Sequence, residues 1–265
     1  MKPYPRHCLL ASVLISAATV SLAAEPPAPK ANQAQAGHSH RGPKQLMLEN
    51  AQGANIRLWK PDLTTQPLSM AHGGITIPKT GMDNYHAVVA EKDWGTNKET
   101  VIRYEYLFGR PSKHSPSELA GAVKTDLEIV PAPIPREHFR YLANQSWGFQ
   151  LRLKGQPKTQ TALILETANG TRLEAVTDDN GYAVFRLPDD FPDIVSGERD
   201  ERSAEFSVSA KTQDAGITYE TMLTASYRMD PAHWQSKSLG WLVVGIGFIA
   251  GGMIGRQRRS AGEAS

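Results

Sequence analysis

The chain has 265 residues, of which 40% are apolar and 21% are charged, with 22 glycines and 18 prolines. This length suffices for one or two globular domains, and the composition is too polar for a protein that crosses a membrane many times. Residues 25–239 contain 24 basic and 26 acidic residues. That balance excludes the concentrated basic surface of a nucleic-acid-binding protein.

Residues 1–24 have the pattern of a secretory signal peptide. Lys2 and Arg6 precede an apolar run that begins at Cys8, and Ala23 and Ala24 supply small residues for cleavage. An uncleaved membrane anchor is the alternative, and in either case the residues that follow are expected to be exported. Cys8 is the only cysteine. Its removal with the signal would exclude disulfides, a cysteine nucleophile and thiolate metal sites.

Residues 25–45 are rich in Pro, Ala, Gln, Gly and Ser, which predicts a disordered linker. In the next part, residues 46–128, apolar residues alternate along segments 85–90 and 100–108, which predicts two strands. In the second of these strands one face is strongly aromatic and is expected to face the core. That face carries Ile102, Tyr104, Tyr106 and Phe108.

A domain boundary is predicted near residues 129–135, where three prolines in five residues favour a stiff extended connector. Downstream, residues 129–230 contain five more predicted strands, at 149–154, 161–166, 182–187, 204–209 and 217–223. Turn signals such as Asn169-Gly170 separate them. No amphipathic helix of ten or more residues is evident between the two ends of the chain. We therefore expect an all-β protein, an Ig-like β-sandwich in two parts.

An uncharged apolar run extends from Leu239 to Ile254 and predicts a transmembrane helix over residues 239–255. The basic residues in 256–265 follow at once, so this tail is expected to be cytoplasmic and the bulk of the chain periplasmic, at the inner membrane. A buried core helix and a sorting signal that is later removed are the alternatives. Small residues repeat at every fourth position on one face of the helix, which favours contact with a membrane protein partner. These are Gly247, Gly251 and Gly255.

Four segments together carry a resemblance to a known family: Leu127-Glu-Ile-Val-Pro131, Lys154-Gly-Gln-Pro157, Ala162-Leu-Ile-Leu-Glu166 and residues 177–188. The chain resembles the DUF4198 family of bacterial periplasmic proteins over about residues 80–228 and, more broadly, the carboxypeptidase-regulatory-like sandwich. The resemblance implies a two-part sandwich and, for some members, an association with nickel or cobalt uptake. Lys158 and the lack of a histidine directly after the predicted cleavage site depart from the family pattern. No family ligand therefore transfers to a residue of this chain.

The turn at residues 178–181 has a structural interpretation that does not depend on the family. Asp178 is expected to accept hydrogen bonds from backbone N–H groups of the turn, and Asn180 and Gly181 tolerate positive φ angles. Phe185 and Leu187 are then expected to point into the core.

Histidines supply the candidate metal ligands. His38 and His40 lie in the linker at a spacing that lets both imidazoles face one ion, and His72 lies in a loop near Met70. Imidazole suits nickel, cobalt, copper and zinc, and a Met/His loop suits copper. The alternatives are an ordinary soluble linker and an ordinary exposed loop.

The other candidate residues favour structural roles. His86 is expected to be a satisfied side chain at the sheet surface, Glu137-His138 to fix the predicted hinge, and Trp234 to lie at the membrane interface. The acidic segment 188–201 favours a solvated loop over a calcium site, because its spacing matches no EF-hand.

No hydrolase, zinc-protease or nucleotide-binding motif is present. The sequence therefore predicts a membrane-tethered, non-enzymatic periplasmic binding or accessory protein, with an expected role in the uptake of a transition metal such as nickel or cobalt. The alternative is a structural or assembly module of the cell envelope with no metal role.

Overall fold

The computed structural model describes residues 44–47, 53–71, 74–135 and 140–235. Its first eight strands are β1 (Lys44–Leu46), β2 (Asn55–Trp59), β3 (Thr65–Leu68), β4 (Met70–Ala71), β5 (Gly74–Ile77), β6 (Met82–Asp93), β7 (Asn97–Leu107) and β8 (Arg110–Pro111). After the helix α1 (Pro116–Gly121) come β9 (Leu127–Pro131), β10 (Tyr141–Leu142), β11 (Ser146–Leu153), β12 (Gln156–Pro157), β13 (Ala162–Thr167), β14 (Arg172–Val176), β15 (Tyr182–Arg186), β16 (Ser203–Asp214) and β17 (Ile217–Arg228). A 3₁₀ turn, Pro231–His233, follows.

These strands form three sheets. The large sheet has the order β14-β13-β16-β17-β7-β6-β2-β3, with β10 paired to β17 and β8 paired to β6. A four-stranded sheet has β11 at its centre, with β9 on one side and β15 and β12 on the other. The third sheet has the order β1-β5-β4. The protein is therefore an all-β structure with sheets packed face to face.

The large sheet has an apolar cluster on each face. The first cluster lies against the four-stranded sheet and contains Phe149 and Leu163, and the second lies against β1 and β5 and contains Leu58 and Ile75. Strand β6 contributes to both clusters, because alternate side chains of a strand point to opposite faces. Ala87 and Val89 belong to the first cluster, whereas Val88 and Ala90 belong to the second. Burial on both faces explains the uninterrupted apolar run at 87–90.

All seven predicted strands are confirmed, but the aromatic face predicted for 100–108 is only partly correct. Ile102 is fully buried and Tyr104 packs against the first cluster, as expected. Phe108 lies beyond the end of β7 and is 63% exposed. The opposite face is buried as well, since Val101 belongs to the second cluster and Glu105 is 7% exposed. The third sheet covers this opposite face, and alternation within one strand does not reveal its presence.

The predicted turn at Asp178 is confirmed. The Asp178 carboxylate accepts hydrogen bonds from the N–H groups of Asn180 and Tyr182, at 2.9 and 2.8 Å. Gly181 has a φ angle of +75°, whereas Asn180 does not adopt a positive φ angle. Phe185 and Leu187 are buried in the first cluster.

The segment 129–135, predicted as a domain boundary, lies within one hydrogen-bonded assembly. Pro131 pairs with Phe149 in the four-stranded sheet. Strand β17 pairs with β7 in parallel, so strands from before and after this segment share the large sheet. Strand β1 begins at Lys44, inside the stretch predicted as linker.

The predicted signal peptide and the predicted membrane segment lie outside the described residues. Within the part of the chain that the structure describes, no helix combines the length and the apolar character needed to cross a bilayer.

Candidate functional site

A groove with a volume of about 750 Å³ lies at the end of the large sheet where β6 turns into β7 and where β2 and β17 begin. The loop that joins α1 to β9 forms one of its walls. We call this feature the distal groove. Its lining is Gly53, Asn55, Glu91, Lys92, Asp93, Trp94, Lys98, Glu99, Thr100, Val123, Lys124, Thr125, Asp126, Leu127, Tyr219 and Glu220.

The β6–β7 turn presents an exposed tryptophan at the rim of the groove. The Asp93 carboxylate accepts a hydrogen bond from Gly95 N–H at 2.7 Å, and Trp94 N–H donates to the carbonyl of Asn97 at 2.9 Å. Gly95 has a φ angle of +80°. Residues other than glycine adopt this backbone conformation only at a cost in free energy. The turn leaves 56% of Trp94 exposed. The ammonium of Lys92 lies 5.8 Å from the centre of its ring, in cation–π contact.

Paired charges line the same groove. The Lys98 ammonium is 2.9 Å from a carboxylate oxygen of Asp126 and 3.3 Å from one of Asp93. Hydrogen bonds to Asp126 and Asp93 raise the pKa of Lys98, and the hydrogen bond from Gly95 together with Lys98 lowers the pKa of Asp93. Lys98 and Asp93 are therefore charged at neutral pH, and together with the Asp126 carboxylate they offer hydrogen-bond donors and acceptors side by side.

The wall formed by the α1–β9 loop contains a close contact between a side chain and the backbone of another loop. Val123 is 51% exposed and packs over the β11–β12 turn at Gly155. A Cβ atom on Gly155 would lie 2.8 Å from Val123 Cγ2, and the φ angle there is +79°. Lys154 N–H donates to the carbonyl of Asp126 and holds the two loops together.

A buried charge cluster supports the same wall from inside. The carboxylate of Glu128 lies 2.7 Å from the Arg152 guanidinium and 3.1 Å from the Lys124 ammonium, and the side chain of Glu128 is fully buried. Both cations also donate to carbonyls at the end of α1, which otherwise lack partners. Burial lowers the pKa of Lys124 and, with the charge of Glu128, raises the pKa of Tyr104 nearby. The cluster thus fixes α1 and β9 beside the groove.

Sequence reasoning missed both the groove and the helix beside it. The helix has a signal that was available: Ser115 and Glu118 form a capping box, with Pro116 at the first helical position. Trp94 also had a signal, because the segment Asp93-Trp94-Gly95 places a large apolar side chain in a turn between two predicted strands.

The predicted metal ligands His38, His40 and His72 lie outside the described residues, as do Glu137 and His138. Among residues 44–47, 53–71, 74–135 and 140–235, no three His, Cys, Asp or Glu side chains lie close enough together to hold a metal ion.

His86 has satisfied hydrogen bonds, as predicted, but it does not lie at the sheet surface. Its side chain is fully buried, and its ring nitrogens contact the Thr80 hydroxyl at 2.7 Å and the Asn84 carbonyl at 3.0 Å. His86 lies on the same face of β6 as Val88 and Ala90, which pack in the second cluster, and Thr80 contacts its ring from the segment before β6. Burial lowers the pKa of His86, so the folded state favours the neutral imidazole.

This burial predicts a pH dependence of stability. The unfolded chain binds a proton at His86 more readily, so the stability should be fully present above about pH 6.5 and should fall as the pH drops toward the lowered pKa. Urea denaturation between pH 7 and pH 5 measures how steeply the free energy of unfolding falls as the pH drops. This slope should be smaller in His86→Gln than in the natural chain. The matched control is His114→Gln, since His114 is exposed. Equal slopes in the two variants would contradict the assignment.

The acidic segment 188–201 is solvated only in part. The carboxylate of Asp190 accepts hydrogen bonds from the hydroxyl groups of Thr167, at 2.6 Å, and Tyr227. A carboxylate oxygen of Asp189 lies 2.6 Å from Nε2 of His233. The prediction of a solvated loop is therefore wrong at these two aspartates, which tie the loop to the sandwich.

The position of Trp234 at the membrane interface stays a prediction. Trp234 packs against the first apolar cluster, next to the 3₁₀ turn.

Comparisons with known proteins identify no family for this chain. No family of known proteins matches it, and no curated protein does. A solved structure that resembles part of it is a Ca²⁺-stabilized adhesin that helps an Antarctic bacterium reach out and bind ice. The identity is 15% and the TM-score 0.26, and the match covers 67% of this chain and 40% of the adhesin chain. A likeness this distant carries no argument about function.

Proposed function

We propose that the protein is a non-enzymatic binding module of the cell envelope, tethered to the inner membrane by its C-terminal segment. In this proposal the chain is exported, its bulk is periplasmic and its basic tail is cytoplasmic. The sandwich is of the Ig-like, carboxypeptidase-regulatory-like type and presents the distal groove to its ligand.

The position of the groove relative to the end of the described chain carries this proposal. Strand β17 begins at Ile217, lines the groove with Tyr219 and Glu220, and ends with Arg228 at the opposite end of the sheet. At roughly 3.3 Å per residue, the strand spans about 36 Å. The last described residue is Gln235, and the apolar run begins at Leu239. A tether there leaves the groove at the end of the sandwich that is farthest from the membrane.

Cysteine labelling tests this topology, because Cys8 is the only natural cysteine. In a Cys8→Ser background, Thr96→Cys places a thiol at the exposed tip of the β6–β7 turn, and Ser260→Cys places one in the tail. A membrane-impermeant maleimide applied to intact spheroplasts should label the first variant, whereas the second should react only after lysis. Labelling of both, or of the tail alone, would overturn the proposed orientation.

The alternative, an assembly module, is favoured by the free edge of β15. Hydrogen bonds from Leu187 N–H to Gln145 and from Leu151 N–H to Gly181 direct alternate residues of this strand toward β11. The backbone groups of Val184 therefore face away from β11, and no described strand pairs there. Val184 is 63% exposed. An edge of this kind is able to add a strand from a partner.

The predicted role in transition-metal uptake stays a prediction. Its candidate ligands, His38, His40 and His72, lie outside the described residues. Binding of nickel, cobalt or copper through these histidines is compatible with the same tethered topology.

A further inference from the structure

We infer that the distal groove binds a neutral oligosaccharide, with Trp94 stacked against the apolar face of a sugar ring. This inference rests on the proposed function, because it names the class of ligand for the same groove. Three features of the groove lead to it: the exposed tryptophan, the pairing of its charges and its size.

The exposed tryptophan indicates a ligand with a flat apolar face. More than half of Trp94 is exposed at the rim of the groove. Burying such a ring removes a large apolar area from water. Val123, on the facing loop, adds a second exposed apolar side chain to the same groove.

The pairing of charges argues against a strongly charged ligand. Four of the five carboxylates in the groove lining have an ion-pair partner, and the fifth, Glu99, lies opposite Lys92 in the strand pairing. Lys98 pairs with Asp93 and Asp126. The other two ion pairs are Arg57 with Glu91 and Lys211 with Glu220. A charged ligand would have to compete with these pairs, whereas hydroxyl groups are able to donate to the carboxylates and accept from the ammonium groups.

The size and polarity of the groove agree with a short oligosaccharide. Its volume of about 750 Å³ falls within the roughly 300–1,000 Å³ of small-molecule sites. A wholly apolar ligand is disfavoured, because it would remove Asp126 and Lys98 from water without replacing their hydrogen bonds. A sugar satisfies both requirements, since one molecule presents C–H groups on one face and hydroxyl groups around its edge.

Calorimetric titration of the full chain with neutral oligosaccharides tests the inference. The probes are cellotetraose, maltotetraose and chitotetraose, and the detergent is an amine oxide, which has no sugar headgroup. We expect at least one probe to bind to the natural chain. Trp94→Ala should weaken that binding by about tenfold or more through loss of stacking, and Trp94→Phe should retain most of it.

Phe108→Ala is the matched control, because Phe108 is a 63% exposed aromatic residue far from the groove lining. Binding that is lost in Trp94→Ala but kept in Phe108→Ala supports the inference. Absence of binding for all three probes, or binding that survives Trp94→Ala, overturns it. Binding of oligolysine instead of sugars also overturns it and assigns a cationic ligand. The cysteine labelling above decides the tethered topology independently of these outcomes.

Discussion

Replacing Glu128 with glutamine is expected to lower the free energy of unfolding by about 3–5 kcal/mol, because it leaves two buried cations without their anion. The fully buried Glu128 side chain contacts both Lys124 and Arg152, and the side chain of Lys124 is fully buried as well. Urea denaturation of Glu128→Gln against the natural chain measures the loss.

The control is an exposed ion pair of similar length. Lys154 and Asp214 are 2.7 Å apart, with side chains that are 52% and 41% exposed. Asp214→Asn should lower the free energy of unfolding far less than Glu128→Gln does, since water replaces much of an exposed pair. Losses of equal size at the two positions would contradict the view that the buried cluster holds α1 and β9 in place.

Leu58→Ala in the second apolar cluster is expected to lower the free energy of unfolding by about 2–5 kcal/mol. It should shift the same unfolding transition that Leu163→Ala in the first cluster shifts. Both leucines are fully buried. The two clusters should melt together, because β6 contributes side chains to both of them. Far-UV circular dichroism and tryptophan fluorescence should report one transition at one midpoint in each variant.

Two separate transitions in Leu58→Ala, with the first cluster unaffected, would contradict this expectation. They would instead support two independently folding parts that meet near residues 129–135. A milder variant, Ile75→Val, is expected to shift the same single transition by about 0.5–1.5 kcal/mol. It keeps the test valid if Leu58→Ala fails to fold.

Much of the secondary structure follows from local pattern. Alternation predicts β11, where Phe149 and Leu151 are buried, and it predicts β15, where Ala183 and Phe185 are buried. The turn at Asp178 also follows from the sequence, since its hydrogen bonds join residues that are close in the chain. Local pattern is informative wherever one face of a strand is buried and the other is exposed.

Long-range pairing was beyond the reach of the same reasoning. The parallel pairing of β7 with β17 joins segments far apart in the chain. The residue pattern of neither segment identifies the other as its pairing partner. The run at 87–90 indicates burial but not the second cluster that buries its other face. Tyr104 and Phe108, on one predicted face, differ in burial because Phe108 lies beyond the end of β7.

The sequence by itself determined the all-β class, seven of the strands and the turn at Asp178, because these depend on residues a few positions apart. Only the tertiary structure decided the distal groove and the cluster around Glu128. The groove needs the β6–β7 turn with Trp94, the loop with Asp126 and the start of β17 to meet at one end of the large sheet. Strand order and packing on both faces of that sheet bring these segments together. The local periodicity of the sequence predicts neither of them.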